Sequence, residues 1–261
     1  MKPLERLFER DGLPCFGVPP ALAALYGGDF GLTRPGLYAN FVSSSDGVVA
    51  LAGDQESGHI VSGGDEPDRF IMGLLRASAD AVLIGAGTFR RAGDEVWFPE
   101  TAYPPATALF ADLRKRLGLR PHPLFVLVTA SGHVNPAHPA LQDCLVLTTP
   151  QGEFHLRGTL PGGARIVVLG TDRIDGLRLL DFLNSQNLRV ILTEGGPSLV
   201  GGLLQEGLVD ELFLTRSPRL FGRWPADGRK SLVEGVDLGA RELQLLSVRR
   251  QDSHLYLRYS L

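Results

Sequence analysis

Cysteine is scarce in this chain, with two residues in 261, Cys15 and Cys144. They lie far apart, and neither has a second Cys or a His at ligand spacing. A disulfide framework and a zinc site are therefore excluded, and no metal is expected. Long apolar runs are missing too. No segment approaches membrane-spanning length, and the opening MKPLERLFERDG carries charges where a signal peptide needs an apolar core. A cytoplasmic protein without a membrane partner is expected. Charge of one sign is not concentrated: the formal net charge is −3 and no basic run occurs. Nucleic acid is not an expected partner, because affinity for the phosphate backbone needs clustered Lys and Arg. A glycine-rich loop ending in Gly-Lys-Ser or Gly-Lys-Thr is absent, which removes the usual basis for ATP hydrolysis. His133 and His138 fall in SGHVNPAHPA, too rich in Gly and Pro for a metal-binding helix, and read as loop residues.

What the chain has is apolar content of 44% and 32 glycines, the composition of a globular α/β protein. Residues 1–34 carry a short charged segment, LERLFERD, expected as a helix, followed by loop-forming PCFGVPP and GGDFGLTRPG. From residue 35 to 261 a single domain is expected. Its pattern alternates strand and helix: LYANFV, a helix over 67–78, AVLIG, a helix over 106–117, LFVLV, CLVLTT, RIVVLG, a helix over 176–186, then RVILT. Such alternation implies a mostly parallel sheet with helices on both faces. The tail changes rhythm. ELFLTRSP, ARELQLLSVRR and SHLYLRYSL follow one another with only loop between them and read as antiparallel strands closing one edge.

Two strand-to-helix turns carry the chemistry. In TEGGPSLVGGLL (193–204) the chain reverses at Gly195 and Gly196. Pro197 suits the first helical position, Ser198 can satisfy early backbone N–H groups, and Glu194 places a carboxylate at the turn. Gly196-Pro197-Ser198 resembles the start of a nucleophile elbow, but the second glycine is displaced, so a serine hydrolase is not supported. In AVLIGAGTFRR (81–91), Gly85 and Gly87 open the turn, Thr88 offers a hydroxyl, and Arg90 and Arg91 follow. The Rossmann fingerprint is not met, because its third glycine would fall at Arg90. Either turn alone is as readily a tight connection with no ligand. Together they can set two helix N-termini at the carboxyl edge of one sheet, where a dinucleotide pyrophosphate fits. Arg90 or Arg91 could then neutralise the 2′-phosphate of NADPH, a guanidinium fork matching phosphate oxygens, or simply face water.

Three blocks then carry a resemblance: NFVSSSDGVVA (40–50), the run over 60–90 that ends in ADAVLIGAGTFR, and TEGGPSLVGGLLQEGLVDELFLTRSPRLFG (193–222). In order and spacing they resemble the pyrimidine reductase family of riboflavin biosynthesis, whose reductase domain has the dihydrofolate reductase-like fold. The resemblance runs from about residue 34 to the C-terminus. It implies an NADPH-dependent, homodimeric oxidoreductase that reduces 5-amino-6-(5-phosphoribosylamino)uracil to the ribityl product by hydride transfer. It implies that Gly85, Gly87 and Thr88 flank the cofactor with Gly195 and Gly196. Asp46 and Glu194 then border substrate and nicotinamide as candidates to handle a proton, and Asn40, Ser44 and Ser62 are candidate substrate ligands. For Asp46 the competing reading is an Asp-Gly turn between strands; for Glu194 it is a carboxylate that merely organises its turn.

The chain departs from the family in two places. The His-x-Glu and Pro-Cys-x-x-Cys signatures of the zinc deaminase domain are absent, and 34 residues cannot hold such a domain, so deamination is excluded. After GAGT, the family's Pro-x-Leu block and its arginine, which help grip the ribose phosphate, are replaced by RRAGDEVWFPETAYPPA. Trp97, Phe98 and Tyr103 put aromatic surface there. If they line the pocket, a dihydrofolate reductase-like reductase of another flat heterocycle or conjugated carbonyl is the alternative. A dinucleotide-binding protein without turnover is the third reading.

Overall fold

A computed structural model describes residues 1–53, 57–224 and 226–261. In chain order the first half comprises β1 (Glu5–Glu9), α1 (Pro20–Tyr26), β2 (Gly36–Ser43), α2 (Ser57–Ser62), α3 (Glu66–Ser78), β3 (Ala81–Gly85), α4 (Ala86–Phe89), α5 (Pro99–Ala102), α6 (Thr107–Arg116) and β4 (Leu124–Thr129). The second half adds β5 (Cys144–Thr148), α7 (Pro150–Leu156), β6 (Arg165–Val168), α8 (Gly176–Ser185), β7 (Val190–Thr193), α9 (Pro197–Gln205), β8 (Glu211–Arg216), β9 (Gln244–Gln251) and β10 (His254–Ser260).

Among the described residues, the strands join one ten-stranded sheet in the order β1-β9-β10-β8-β2-β7-β3-β4-β5-β6. From β8 to β6 every neighbouring pair is parallel, while β10, β9 and β1 are added antiparallel. Alternation along the central strands feeds two cores. Val82 and Ile84 of β3 point into the core under α3 and α6, and Ala81 and Leu83 into the core under α8 and α9. Helix α3 shows how sequence sets this up. Asp65 caps it by accepting from the Asp68 N–H, Pro67 sits in its first turn, and Phe70, Ile71, Leu74 and Leu75 are buried on one face. Each of those side chains contributes about 2 kcal/mol by leaving water. The helix ends at Ala79, whose extended backbone leads into β3, and this carries Arg76 of the last turn beneath the sheet edge.

Two expectations are corrected. LERLFERD is not a helix: residues 5–9 form the edge strand β1, paired with β9. A helix of that length is marginal alone. The free edge of β9 instead offers backbone hydrogen bonds together with Arg249 and Arg250, which Glu9 and Glu5 pair. The ELFLTRSP strand is not an antiparallel edge strand either. β8 lies inside the sheet, parallel to β2, and only its other side meets the antiparallel β10. Helix α9 supplies the crossover from β7 that makes the parallel pairing possible. Helix α7 was not foreseen; its signal was Thr149, which caps it by accepting from Gly152, followed by Pro150. Residues 1–34 are packed in, with Leu4, Leu22, Tyr26 and Phe30 joining the core that holds Phe213 and Tyr256.

Candidate active site

Strands β2, β7 and β3 are adjacent and parallel, so their carboxyl ends open on one edge and their glycine turns adjoin. The fit is close. A Cβ on Gly195 would lie 2.5 Å from the Gly85 amide nitrogen, and one on Gly196 would lie 3.2 Å from the Thr88 hydroxyl. Gly195 is thus required by contact between the two turns, a reason that the sequence alone did not supply. Gly196 has φ of 69° and precedes α9 with no side chain capping its first amides. Those amides and the positive end of the helix point toward the cavity rim, where Gly196, Pro197 and Thr88 are lining residues.

The cavity between this edge, α2, α3 and the segment 91–102 has a volume of about 580 Å³. Arg76, 1% exposed, forms its base. Its Nε and Nη2 donate to Oε2 of Glu194 at 3.0 and 2.8 Å, and Nη2 also donates to Glu95 at 2.8 Å. Nη1 reaches the Phe98 carbonyl and the Thr101 hydroxyl at 3.3 and 3.4 Å. Asn40 donates to the other Glu194 oxygen at 3.4 Å. Burial pushes the Glu194 pKa up, against the pull of Arg76. Burial opposes the charge on Arg76, but Glu194 and then Glu95 overcome it, so the guanidinium stays protonated. A raised carboxyl held in one orientation at a cavity wall is suited to proton transfer. Sequence reasoning missed Arg76. Its only signal was an arginine on the apolar side of an amphipathic helix, a position that a solvated cation avoids.

A second acid also went unmarked. Asp68 of α3 lines the cavity and is 6% exposed. Burial pushes its pKa up to about 7, with the charges of Asp65 and Glu194 adding to the rise and a hydrogen bond with the Thr215 side chain opposing it.

The residues marked from sequence divide. Glu194, Asn40, Ser62, Thr88, Arg91, Gly196 and Pro197 all line this cavity, and the Ser62 hydroxyl donates to the His59 carbonyl. Asp46 and Ser44 do not line it. Asp46 accepts the amides of Phe221 and Gly222 at 3.1 and 2.6 Å and the Ser44 hydroxyl at 2.5 Å, bonds that hold its carboxyl below the ordinary range. Ser44 is itself buried and accepts the Val48 amide. The pair pins the loop after β8 to the loop after β2. Gly85 and Gly195 are buried behind the rim, and Ser198 is exposed beyond it. Gly87, Arg90 and Arg91 border a neighbouring cleft of about 740 Å³ with His133 and Asn135, and Arg90 donates to the His133 carbonyl at 3.2 Å. The aromatic segment packs more than it faces ligand. Trp97 is 3% exposed and stacks on Phe125 at 4.7 Å, and Phe98 stacks on His122 at 3.9 Å.

A family model for the RibD C-terminal domain matches residues 35–257. The chain belongs to that family. Among its relatives is the 2,5-diamino-6-ribosylamino-4(3H)-pyrimidinone 5′-phosphate reductase of Archaeoglobus fulgidus, 29% identical over 192 residues, which are 72% of this chain and 83% of that protein. The riboflavin biosynthesis protein RibD of Escherichia coli is 28% identical over 194 residues, 69% of this chain and 47% of that protein. A solved pyrimidine reductase-like protein of Corynebacterium diphtheriae is 25% identical, with a TM-score of 0.70 over 87% of this chain and 91% of that one. The pyrimidine reductase resemblance therefore holds, and so does the α/β fold class with its mostly parallel sheet, helices on both faces and antiparallel edge strands.

Proposed function

We propose that the protein is a nicotinamide-dependent oxidoreductase that reduces a 6-ribosylaminopyrimidine 5′-phosphate to its ribityl product, with NADPH as reductant. The observation that carries this reading is the contact between the two glycine turns, which sets the uncapped start of α9 beside Thr88 on the rim of a cavity based on Glu194 and Arg76. The family and the activity for which its Archaeoglobus relative is named support the reaction class.

The chain's residues fit a dinucleotide. The Gly196 amide, the amides of Ser198 and Leu199 that no side chain of the cap satisfies, the Thr88 hydroxyl and the open surface at Gly87, where a Cβ would meet nothing within 4 Å, leave room and donors for a pyrophosphate. Arg90 and Arg91, on the adjoining cleft, are the cations available to a 2′-phosphate. A nicotinamide held by these residues would supply the hydride that the sugar's anomeric carbon accepts. Reduction with ring opening leaves a sugar oxygen that needs a proton, and Glu194 is the group placed to deliver it. Arg76 fixes the orientation of that carboxyl through one oxygen and leaves the other, held only weakly by Asn40, toward the cavity. Asp46, outside the cavity, is assigned the task of holding the two loops together.

The test is spectrophotometric. Purified protein, NADPH and either the diaminopyrimidinone or the aminouracil ribosyl phosphate are expected to show substrate-dependent loss of reduced nicotinamide. Binding of NADPH without oxidation by either ring would establish a binding protein without turnover. Oxidation by other flat heterocycles alone would establish the broader reductase reading. Failure to bind a nicotinamide would overturn the proposal.

A further inference from the structure

The two rings considered for this reaction differ at one position. The Archaeoglobus protein is named for a ring with an amino group at C2, whereas the uracil ring expected from the sequence carries an oxygen there. The edge formed by N3 and C2 therefore shows two N–H donors side by side in the first ring and a donor beside an acceptor in the second. A protein that chooses between them needs, within the cavity, a polar group that reads this difference.

Carboxyls are the suitable readers, and the cavity wall holds few that are free. Glu194 is ion-paired with Arg76 and already holds the proposed proton-donor role. Glu95 is committed to Arg76 from the other side. Asp65, just behind the wall, accepts from the Tyr256 hydroxyl at 2.6 Å and the Asp68 amide at 2.9 Å, with His254 at 3.4 Å. Asp68 is different. It lines the cavity, it is more than nine-tenths buried, and among the described residues no Lys, Arg or His lies within ion-pair distance of it. Among the described residues its side-chain hydrogen-bond partner is Thr215 of β8, which leaves further lone pairs for a ligand.

We propose that Asp68 is the specificity-determining residue of the cavity, reading the N3–C2 edge of the pyrimidine and selecting the 2-amino ring over the 2-oxo ring. As a carboxylate it accepts the N3–H and the 2-amino N–H in parallel, the arrangement that makes guanidinium–carboxylate pairs strong. The same carboxylate faces O2 of a uracil with repulsion, and a site whose buried polar group is left mismatched rejects the wrong ligand strongly. Protonated, Asp68 donates to O2 and accepts from N3–H, and so matches the uracil instead. The acid that fits one ring is the conjugate of the base that fits the other. The titration occurs near neutrality. The groups that face Asp68 are Asp65 ahead of α3, Glu194 at the end of β7 and Thr215 on β8, with His59 of α2 and Arg69 of α3 on the same cavity lining.

The inference rests on the proposed reductase reading, and the two can fail separately. The measurement is kcat/KM for both ribosylaminopyrimidine phosphates with NADPH between pH 6 and pH 8, on the native protein and on Asp68→Asn. With titration near pH 7, the preference for the 2-amino ring is expected to grow by about a hundredfold across that range, from about tenfold changes of opposite sign for the two rings. Asp68→Asn, which donates to O2 and accepts from N3–H at every pH, is expected to favour the 2-oxo ring and to lose the pH dependence of the ratio. Turnover of neither ring overturns the function and the selectivity together. Turnover of both with a ratio unmoved by pH in the native protein overturns the selectivity alone, whether or not the variant folds.

Discussion

Glu194 and Asp68 are buried carboxyls on one cavity wall in opposite electrostatic company. Glu194 has a guanidinium bonded to one oxygen. Asp68 has two other acids for neighbours and a hydroxyl for a partner. For Glu194 the expectation is that Glu194→Gln lowers kcat by about 10²-fold or more, the scale of general acid catalysis, with NADPH affinity unchanged in a fluorescence titration. A near-native kcat would leave Glu194 as scaffolding and assign the proton to another group. Asp68 makes a prediction about stability. Its folded pKa, about 7, stands above the unfolded value, so the folded state holds the proton more tightly. The corresponding stability is complete below about pH 4 and is lost as the pH rises through about 7. Asp68→Asn is thus expected to raise unfolding free energy at pH 8 by about 2–4 kcal/mol and to leave it unchanged near pH 4. Parallel urea titrations at the two pH values decide it; equal effects at both would remove the buried-charge account.

At the level of elements, what could be read from the sequence followed the strength of periodicity. The parallel strands around Leu37, Val82, Val126 and Ile191 are continuous apolar runs, and α3, α6 and α8 end within a residue or so of where spacing placed them. The glycine turns were legible as a pair because each follows a buried strand. β1 was not legible, since LERLFERD shows the same charges whether it lies on a helix or along an edge, and only the arginines of β9, more than 200 residues later, decide between the two. The placement of β8 beside β2 depended on the crossover through α9, a tertiary fact. At the site, Glu194 was legible from its turn. Arg76 and Asp68 were hidden inside an amphipathic helix where polar residues ordinarily mark the solvent side, and Asp46 drew attention through a motif whose structural work is to hold a loop. Turn contact yields a test of its own. Gly195→Ala forces a methyl to 2.5 Å from the Gly85 amide, and the overpacking is expected to cost about 1–3 kcal/mol. Separation of β7 from β3 at their carboxyl ends should weaken NADPH binding as well, whereas Gly87→Ala, at an open position, should leave stability unchanged; thermal melts of the two variants beside the native protein check both.

Across the whole molecule, the antiparallel strands and the first 34 residues close the side of the sheet remote from β6. Leu4, Leu22, Tyr26 and Phe30 pack with Phe213 of β8 and Tyr256 of β10, and Arg249, almost fully buried, donates to the Tyr26 carbonyl and lies over the Tyr26 ring at 3.7 Å. Removal of residues 1–34 uncovers this apolar surface and leaves a buried guanidinium without its partners. The truncated chain is expected to be insoluble or to melt well below the full chain, a loss of several kcal/mol. A truncated protein with native melting behaviour would mean that the segment is an appendage.

The Arg76 fork reaches both strand β7 and the segment after α4, through Glu194 and Glu95. That segment is the one whose sequence departs from the expected family block, and through Arg76 it is wired to the proposed proton donor. Any exchange of residues 91–98 that omits an acid at position 95 would leave Arg76 answering to a single carboxylate. Substrate range and proton supply would then shift together.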